Sequence, residues 1–463
     1  MRHTISSFRH SLFTFCSHPV HLRRPRYLRM NVSGSIALAL LLALTTPALA
    51  SAQPFDIAQG GPAARQISFA DVAAAVVQSN LQLRAAALNV AIAQAQLAQA
   101  QGGQMPQATL SGSYTRTQEP PPAFPLGGPN IYAAGVAISY PLSTGGRVEA
   151  QIALAQANLR GAQASFNRTR QQLVYTAEQI YLQGLLANET VAAAQRALDA
   201  AGESLRVARV RFNTGAAAQF DVLQAEVAIA NAEQTLVQAQ TGVATAAAGL
   251  NAALSLPLDT PVQFTGTLTP RPVEGTLPTT IAQALRDRPD LVALQSQIGV
   301  AQAGIDLARS GGRPAVFLGA GYEFSNFSGQ SPYVFGSWLA TLSVTLSVFD
   351  GGITQAKVSE AQLQLEQLKV REAQTRQQIE LDVRLAWLAL QQATGRLTAA
   401  TKAAEQGRES ARLAAARYTS GVGTSLELLS AQAALAQADL SLASARYDQN
   451  AARIQLILAT GSL

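Results

Sequence analysis

From Gly145 to Phe212 the chain has no proline. Small and apolar residues recur there at alternating spacings of three and four: Ala155, Leu159, Ala162, Phe166, Thr169, Leu173, Ala177, Ile180, Gly184, Ala187, Val191, Ala194, Leu198, Ala201, Leu205, Ala208 and Phe212. One slip interrupts the pattern, between Leu173 and Ala177. This is coiled-coil periodicity. A helix of that extent is about 100 Å long at about 1.5 Å per residue, longer than an ordinary globular domain is wide. Leu429, Ala433, Ala436, Leu440, Ala443, Tyr447, Ala451, Ile454 and Leu458 repeat the pattern near the other end of the chain. Composition agrees: 15 Phe, 10 Tyr and 2 Trp among 463 residues are too few for a thick globular core. Ala and Gly along the seams instead suit thin, closely packed helices.

The chain also says the same thing twice. A helical stretch from Asn80-Leu81 to Gly102-Gly103, with Pro106 beyond, is answered by one from Asp290-Leu291 to Gly311-Gly312, with Pro314 beyond. Tyr114 is answered by Tyr322, and Thr144-Gly145-Gly146 by Asp350-Gly351-Gly352. The run Arg211 to Gly215 is answered by Arg417 to Gly421, and Phe220 to Glu226 by Leu426 to Gln432. The expected organisation is a signal peptide over 1–50, a first repeat over 51–256, a linker over 257–278 and a second repeat over 279–463. The linker holds Pro257, Pro261, Pro270, Pro272 and Pro278 and is too rich in proline for helix. Each repeat reads helix, strand, hairpin loop, strand, very long helix, tight turn, returning helix. Thr144 and Asp350 are placed to cap the long helices.

Four segments alternate with the period of two expected of strands. Ala108 to Arg116 puts Leu110 and Tyr114 on one face. The second segment groups Tyr132, Val136, Ile138 and Tyr140. The third groups Val316, Leu318, Tyr322 and Phe324, and the fourth groups Trp338, Leu342, Val344, Leu346 and Val348. The opposite faces are small or polar. Strands of about ten residues with an apolar outer face, and Tyr or Trp toward its ends, suit a transmembrane barrel. Val136, Ile138, Leu318, Tyr322, Leu342 and Val344 are then lipid-facing. A soluble four-stranded sheet packed on the helices is the alternative, but its small polar face would pack poorly. An open edge is not tolerated in lipid, so four strands demand completion by other chains. Two chains give eight strands and three give twelve; the sequence fixes an oligomer without fixing its number.

Ile36 to Leu44 is an apolar run too short to span a bilayer, followed by Ala48-Leu49-Ala50, the small-x-small pattern of a cleavage site. Removing residues 1–50 takes six of the 34 basic residues and none of the 28 acidic, leaving 28 of each. The basic balance therefore points to no nucleic-acid partner. All four His and the only Cys, Cys16, also lie in this segment. The remaining chain has no disulfide, thiol nucleophile, imidazole base or Cys/His metal site, and it reads as a protein that is not an enzyme. The glycine pairs lack the lysine of a phosphate-binding loop, so no cofactor is expected. A trimeric coiled-coil structural or adhesive protein with a small anchoring barrel competes with a channel.

The duplicated layout carries "RPDL" at Arg288 to Leu291, "FDGG" at Phe349 to Gly352 and "RYTSGVGTSLELLSAQ" at Arg417 to Gln432. With these the chain resembles the TolC-like outer-membrane efflux protein family over nearly its whole mature length. The resemblance implies a mixed α and β membrane protein, a homotrimer. Its twelve strands would form an outer-membrane β-barrel in contact with lipid, and its twelve helical segments a periplasmic α-helical tunnel. A periplasmic adaptor would dock at the far end and couple the channel to an inner-membrane transporter of RND, ABC or MFS type. Arg211, Gly215, Arg417 and Gly421 would mark the docking tip. Glu427 would form an acidic ring at the periplasmic constriction, with Asp221 at the equivalent place in the first repeat and Ser430 where a second carboxylate would stand. A plainer role for both acids is favourable placement in the first turn of a helix.

Overall fold

The structure is a computed structural model that describes residues 65–116, 130–270, 275–325 and 335–463. The expected signal peptide lies outside the described residues. So do the hairpin loops between the long strands of each repeat, 117–129 and 326–334.

The long helices form as their periodicity demands. Helices α3 (Arg147–Asn213) and α7 (Ile353–Thr419) are each 67 residues long. They return as α4 (Gln219–Ala253) and α8 (Ser425–Thr460). Strand β1 (Arg65–Ser68), α1 (Phe69–Ser79) and α2 (Leu81–Gly102) precede the first hairpin of strands, β2 (Gln107–Arg116) and β3 (Asn130–Ser143). Strand β4 (Val262–Thr265), α5 (Leu277–Asp287) and α6 (Pro289–Ser310) precede the second, β5 (Ala315–Ser325) and β6 (Phe335–Thr345). Thr144 Oγ1 accepts from Val148 N at 3.1 Å, and Asp350 Oδ2 accepts from Thr354 N at 2.8 Å. Each reaches past a glycine pair at positive φ, 63° and 88° at Gly145 and Gly146. The glycine pairs that end α2 and α6 act differently, because their caps stay right-handed, with φ −64° at Gly103. A Cβ on Gly103 would stand 3.1 Å from Ala100 O and 3.4 Å from Val148, so this glycine admits α3 rather than a left-handed turn.

The four long strands make one antiparallel sheet in the order β2-β3-β5-β6. Strands β1 and β4 make a separate parallel pair across the proline-rich linker. Around that pair α3 has more to bury than its coiled-coil seam. Val174, Tyr181, Leu182 and Leu185, outside the seam, are buried with Ala177 against β1, β4, α1 and the end of α8. Phe212, expected in the seam, is 43% exposed at the end of its helix. Strand β6 stops at Thr345, so Leu346 to Val348 continue the expected alternation without strand pairing, and β6 is an edge strand among the described residues. Among the described residues no helix is long and apolar enough to cross a membrane.

Helix neighbours give the layer its order. Around the tips the sequence is α4, α3, α8, α7; nearer the sheet it is α2, α3, α6, α7. The chain is thus a strip with two ends in both layers: β2, α2 and α4 at one end, β6 and α7 at the other.

Candidate functional site

The sheet is the first candidate. Its register aligns Leu110, Val136, Tyr322 and Trp338 in one cross-strand row, and pairs Leu318 with Leu342, Val316 with Val344 and Ile138 with Ala320. The apolar positions read from alternation therefore share one face in all four strands. Val136, Ile138, Leu318, Tyr322, Leu342 and Val344 are all exposed. Tyr322 stacks edge-on with Phe324 at 4.8 Å, and Tyr114 meets Tyr132 at 5.0 Å. On the two inner strands the other face is partly covered: Ala133, Gly135, Gly319 and Gly321 are half-buried. The small-residue side is therefore the more covered of the two on these strands. Gly319 is needed there, since a Cβ would stand 2.7 Å from Thr341 Oγ1.

The second candidate lies at the turns from α3 to α4 and from α7 to α8. Gly215 and Gly421, at φ 74° and 82°, allow each chain reversal. Arg211 does not point away from the protein. Its guanidinium lies 4.6 Å over the Tyr418 ring, and Nη1 donates to Tyr418 O at 2.8 Å. Ser425 Oγ donates to Asp221 Oδ1 at 2.6 Å. Both contacts cross from one repeat to the other, so the two turns form one site. Arg417 reaches Glu427 at 3.7 Å, with more than half of each side chain exposed, an arrangement of little strength in water. Thr424 Oγ1 caps α8 by accepting from Glu427 N at 3.2 Å.

Asp221 and Glu427, equivalent in sequence, thus have different surroundings. Asp221 is half-buried and bound; Glu427 is exposed. Sequence reasoning paired them by position and missed the cross-repeat contacts. The signal available was Tyr418 where the first repeat has Phe212, and Ser425 where it has Gln219. Among the described residues no three His, Cys, Asp or Glu side chains come together as metal ligands.

The profile of the family described as "Outer membrane efflux protein" matches residues 72–255 and 280–462. The chain is 27% identical over 308 residues to protein CyaE of Bordetella pertussis, a match that spans 64% of each chain, less than two thirds. It is 25% identical over 435 residues to the probable efflux pump outer membrane protein TtgC of Pseudomonas putida, covering 90% of this chain and 88% of that one. The outer membrane protein VceC of Vibrio cholerae shares the fold at a TM-score of 0.73 and 18% identity, over 85% of this chain and 96% of that one.

Proposed function

Since this chain belongs to the outer membrane efflux protein family, we propose that three copies close edge to edge into a passive channel, a β-barrel in the outer membrane on a helical tunnel below it. The family fixes the coarser statement: the protein is an outer-membrane efflux channel component, and the structural or adhesive rod is set aside. The observation that supports closure is that the strip is unfinished at the same two ends in both layers. Strands β2 and β6 each have one unpaired edge. In the helical layer, Leu81, Leu88 and Ile92 on α2 and Leu223, Val227 and Val237 on α4 are exposed at one end. Leu363, Val370, Leu385 and Leu388 on α7 are exposed at the other. Charge agrees: α4 carries Asp221, Glu226 and Glu233 without a single Lys or Arg, while Arg396 to Arg417 on α7 is net positive. A head-to-tail interface of this kind makes a ring when its rotation closes.

In this reading the apolar sheet face meets lipid and the small-residue face lines the lumen. The tips, with Arg211, Gly215, Arg417 and Gly421, meet a periplasmic adaptor, through which an inner-membrane transporter supplies substrate and energy. Glu427, exposed and loosely held, forms the acidic constriction. Asp221 instead ties the two hairpins together through Ser425. The long helices expected from Gly145 to Phe212 supply the tunnel wall.

Cross-linking of the purified protein in detergent tests closure: trimers are expected, and a limit at monomer or dimer overturns it. Face assignment is tested by arginine substitution. Val136→Arg and Leu342→Arg should each cost about 2–4 kcal/mol of barrel stability. Ala137→Arg and Ser343→Arg should mainly change conductance. Equal behaviour of the two pairs would show the faces reversed or absent.

A further inference from the structure

The small-residue face of the sheet carries one ionisable side chain among the described residues. The register sets Ser111, Gly135, Glu323 and Ser337 in a single row across the four strands. The rows beside it hold Thr109, Ala137, Gly321 and Leu339 on one side and Ser113, Ala133 and Ser325 on the other. Uncharged residues thus surround Glu323, small ones on β2, β3 and β5, with Leu339 and Phe335 in the adjacent rows of β6. Gly135 leaves it room, because a Cβ there would crowd Tyr322 O at 3.1 Å and Glu323 Cβ at 3.4 Å. The carboxylate is exposed and makes no hydrogen bond or ion pair within the described residues. Strand β5 starts at Ala315 beside the helices and ends at Ser325, so Glu323 lies at the end of the sheet far from the helical layer.

We propose that Glu323 sets the charge preference of the channel at its barrel end, favouring cationic solutes and disfavouring anions. The inference rests on the closed-channel reading above. Closure repeats Glu323 once per chain around the lumen, at the opposite end from Glu427. A ring of like charges in a pore with low-dielectric walls concentrates the field and attracts counter-ions. No cation among the described residues of this face cancels it, and glycine and serine neighbours leave it open to a passing solute. Glu427 cannot stand in for it, since a charge screened over about 8 Å at physiological salt does not act from the far end of a helix about 100 Å long.

Reversal potentials in planar bilayers under a KCl gradient test this, with single-channel conductance recorded alongside. Glu323→Gln should lower the ratio of cation to anion permeability by about twofold or more, and Glu323→Lys should lower it further. Trivalent cations added on the barrel side should block the wild type more strongly than Glu323→Gln. Unchanged selectivity and block in variants that still conduct would overturn the role of Glu323 alone. A wild-type protein that inserts as a trimer but does not conduct would overturn the channel reading and this inference with it. Glu323→Asp, which keeps the charge, should retain selectivity; its loss there would also count against the proposal.

Discussion

The two repeats follow the same path but are fastened by different chemistry. Where α1 meets α2, the buried Asn80 accepts from Leu83 N at 3.0 Å and donates to Ala253 O at 2.7 Å. Where α5 meets α6, the equivalent position is Arg288, 6% exposed, paired with Asp290 at 2.6 Å and Asp382 at 2.9 Å. The middles of the long helices diverge too. Tyr181 on α3 is fully buried between Phe69 and Phe264, its hydroxyl within reach of Ile67 O and Thr265 O. On α7 the corresponding region packs Ile379, Val383 and Leu390 against α5 and α8, with no strand pair to cover. Helix length and turn position can therefore be held by an apolar plug in one repeat and an ion cluster in the other.

Arg288→Ala should break the second fastening with the largest effect. It leaves two carboxylates facing a site built for a cation, at a cost of about 3–5 kcal/mol. Burial pushes the Asp290 carboxyl up, but the Arg288 guanidinium more than offsets this and holds it below the usual carboxylate range. Asn80→Ala should cost only about 1–2 kcal/mol, the value of a cap plus one hydrogen bond to the end of α4. Denaturant midpoints of the two variants in detergent would measure both. Equal costs would mean that the two junctions are not fastened differently after all.

Gly184→Val attacks the first fastening. A Cβ at Gly184 would collide with the Phe264 ring of β4, whereas the second repeat has Leu390 at the equivalent place on α7. Overpacking there should cost about 2–3 kcal/mol. Phe264→Ala in the same chain should recover part of it, and a double variant no better than the single would show that the ring is not the obstacle.

These contrasts also mark what the sequence made legible. Period-two alternation identified the four long strands and their faces, because each residue type repeats over ten positions. Coiled-coil spacing gave α3 and α8, because it runs for many turns with a single slip in α3; α7 followed from the repeat. The β1–β4 pair was missed: four residues are too few to show alternation, and the partners Ile67 and Phe264 are far apart in sequence and bracket the first repeat. The buried stripe through Tyr181 was missed for the same reason, since that pair is part of what it covers. Arg288 was noted only within a four-residue motif; its partner Asp382 lies on another helix. At the tips, Asp221 was matched to Glu427 by position alone, and the Ser425 contact that separates them spans both repeats.

Glu178 on α3 offers a smaller, pH-dependent separation, because its equivalent on α7 is Arg384. Burial raises the Glu178 carboxyl to about 7, only partly opposed by Arg453 on α8. A carboxyl raised on folding favours the neutral form, so its contribution is present below the unfolded value of 4.5 and is lost as pH climbs through about 7. The wild type should therefore lose stability between those values. Glu178→Gln should remove that slope and be more stable than wild type at pH 8 by about 1–2 kcal/mol, discounted for partial exposure. Melting curves from pH 4.5 to 8 would show it; a wild-type slope that survives in Glu178→Gln would place the titration elsewhere.

The smallest expected effect comes from the ends of the returning helices, where Ser255 and Gly461 occupy equivalent places. Both have positive φ, 54° and 75°. At Gly461 a side chain has no room, since a Cβ would stand 3.0 Å from the Arg288 backbone, so glycine meets both the conformational and the steric demand. Ser255 adopts the left-handed conformation with a side chain, at a cost of about 1 kcal/mol against glycine. Its hydroxyl offsets that cost by accepting from Leu81 N at 3.2 Å, satisfying one of the donors left free at the start of α2. Ser255→Ala keeps the backbone cost and loses the bond, and should destabilise by about 1 kcal/mol. Ser255→Gly loses the bond but relieves the backbone, so its net change should lie within about 0.5 kcal/mol of zero. Two variants that cost the same would show that the left-handed backbone carries no penalty here, and a Ser255→Ala that costs nothing would show that the hydroxyl does not contribute.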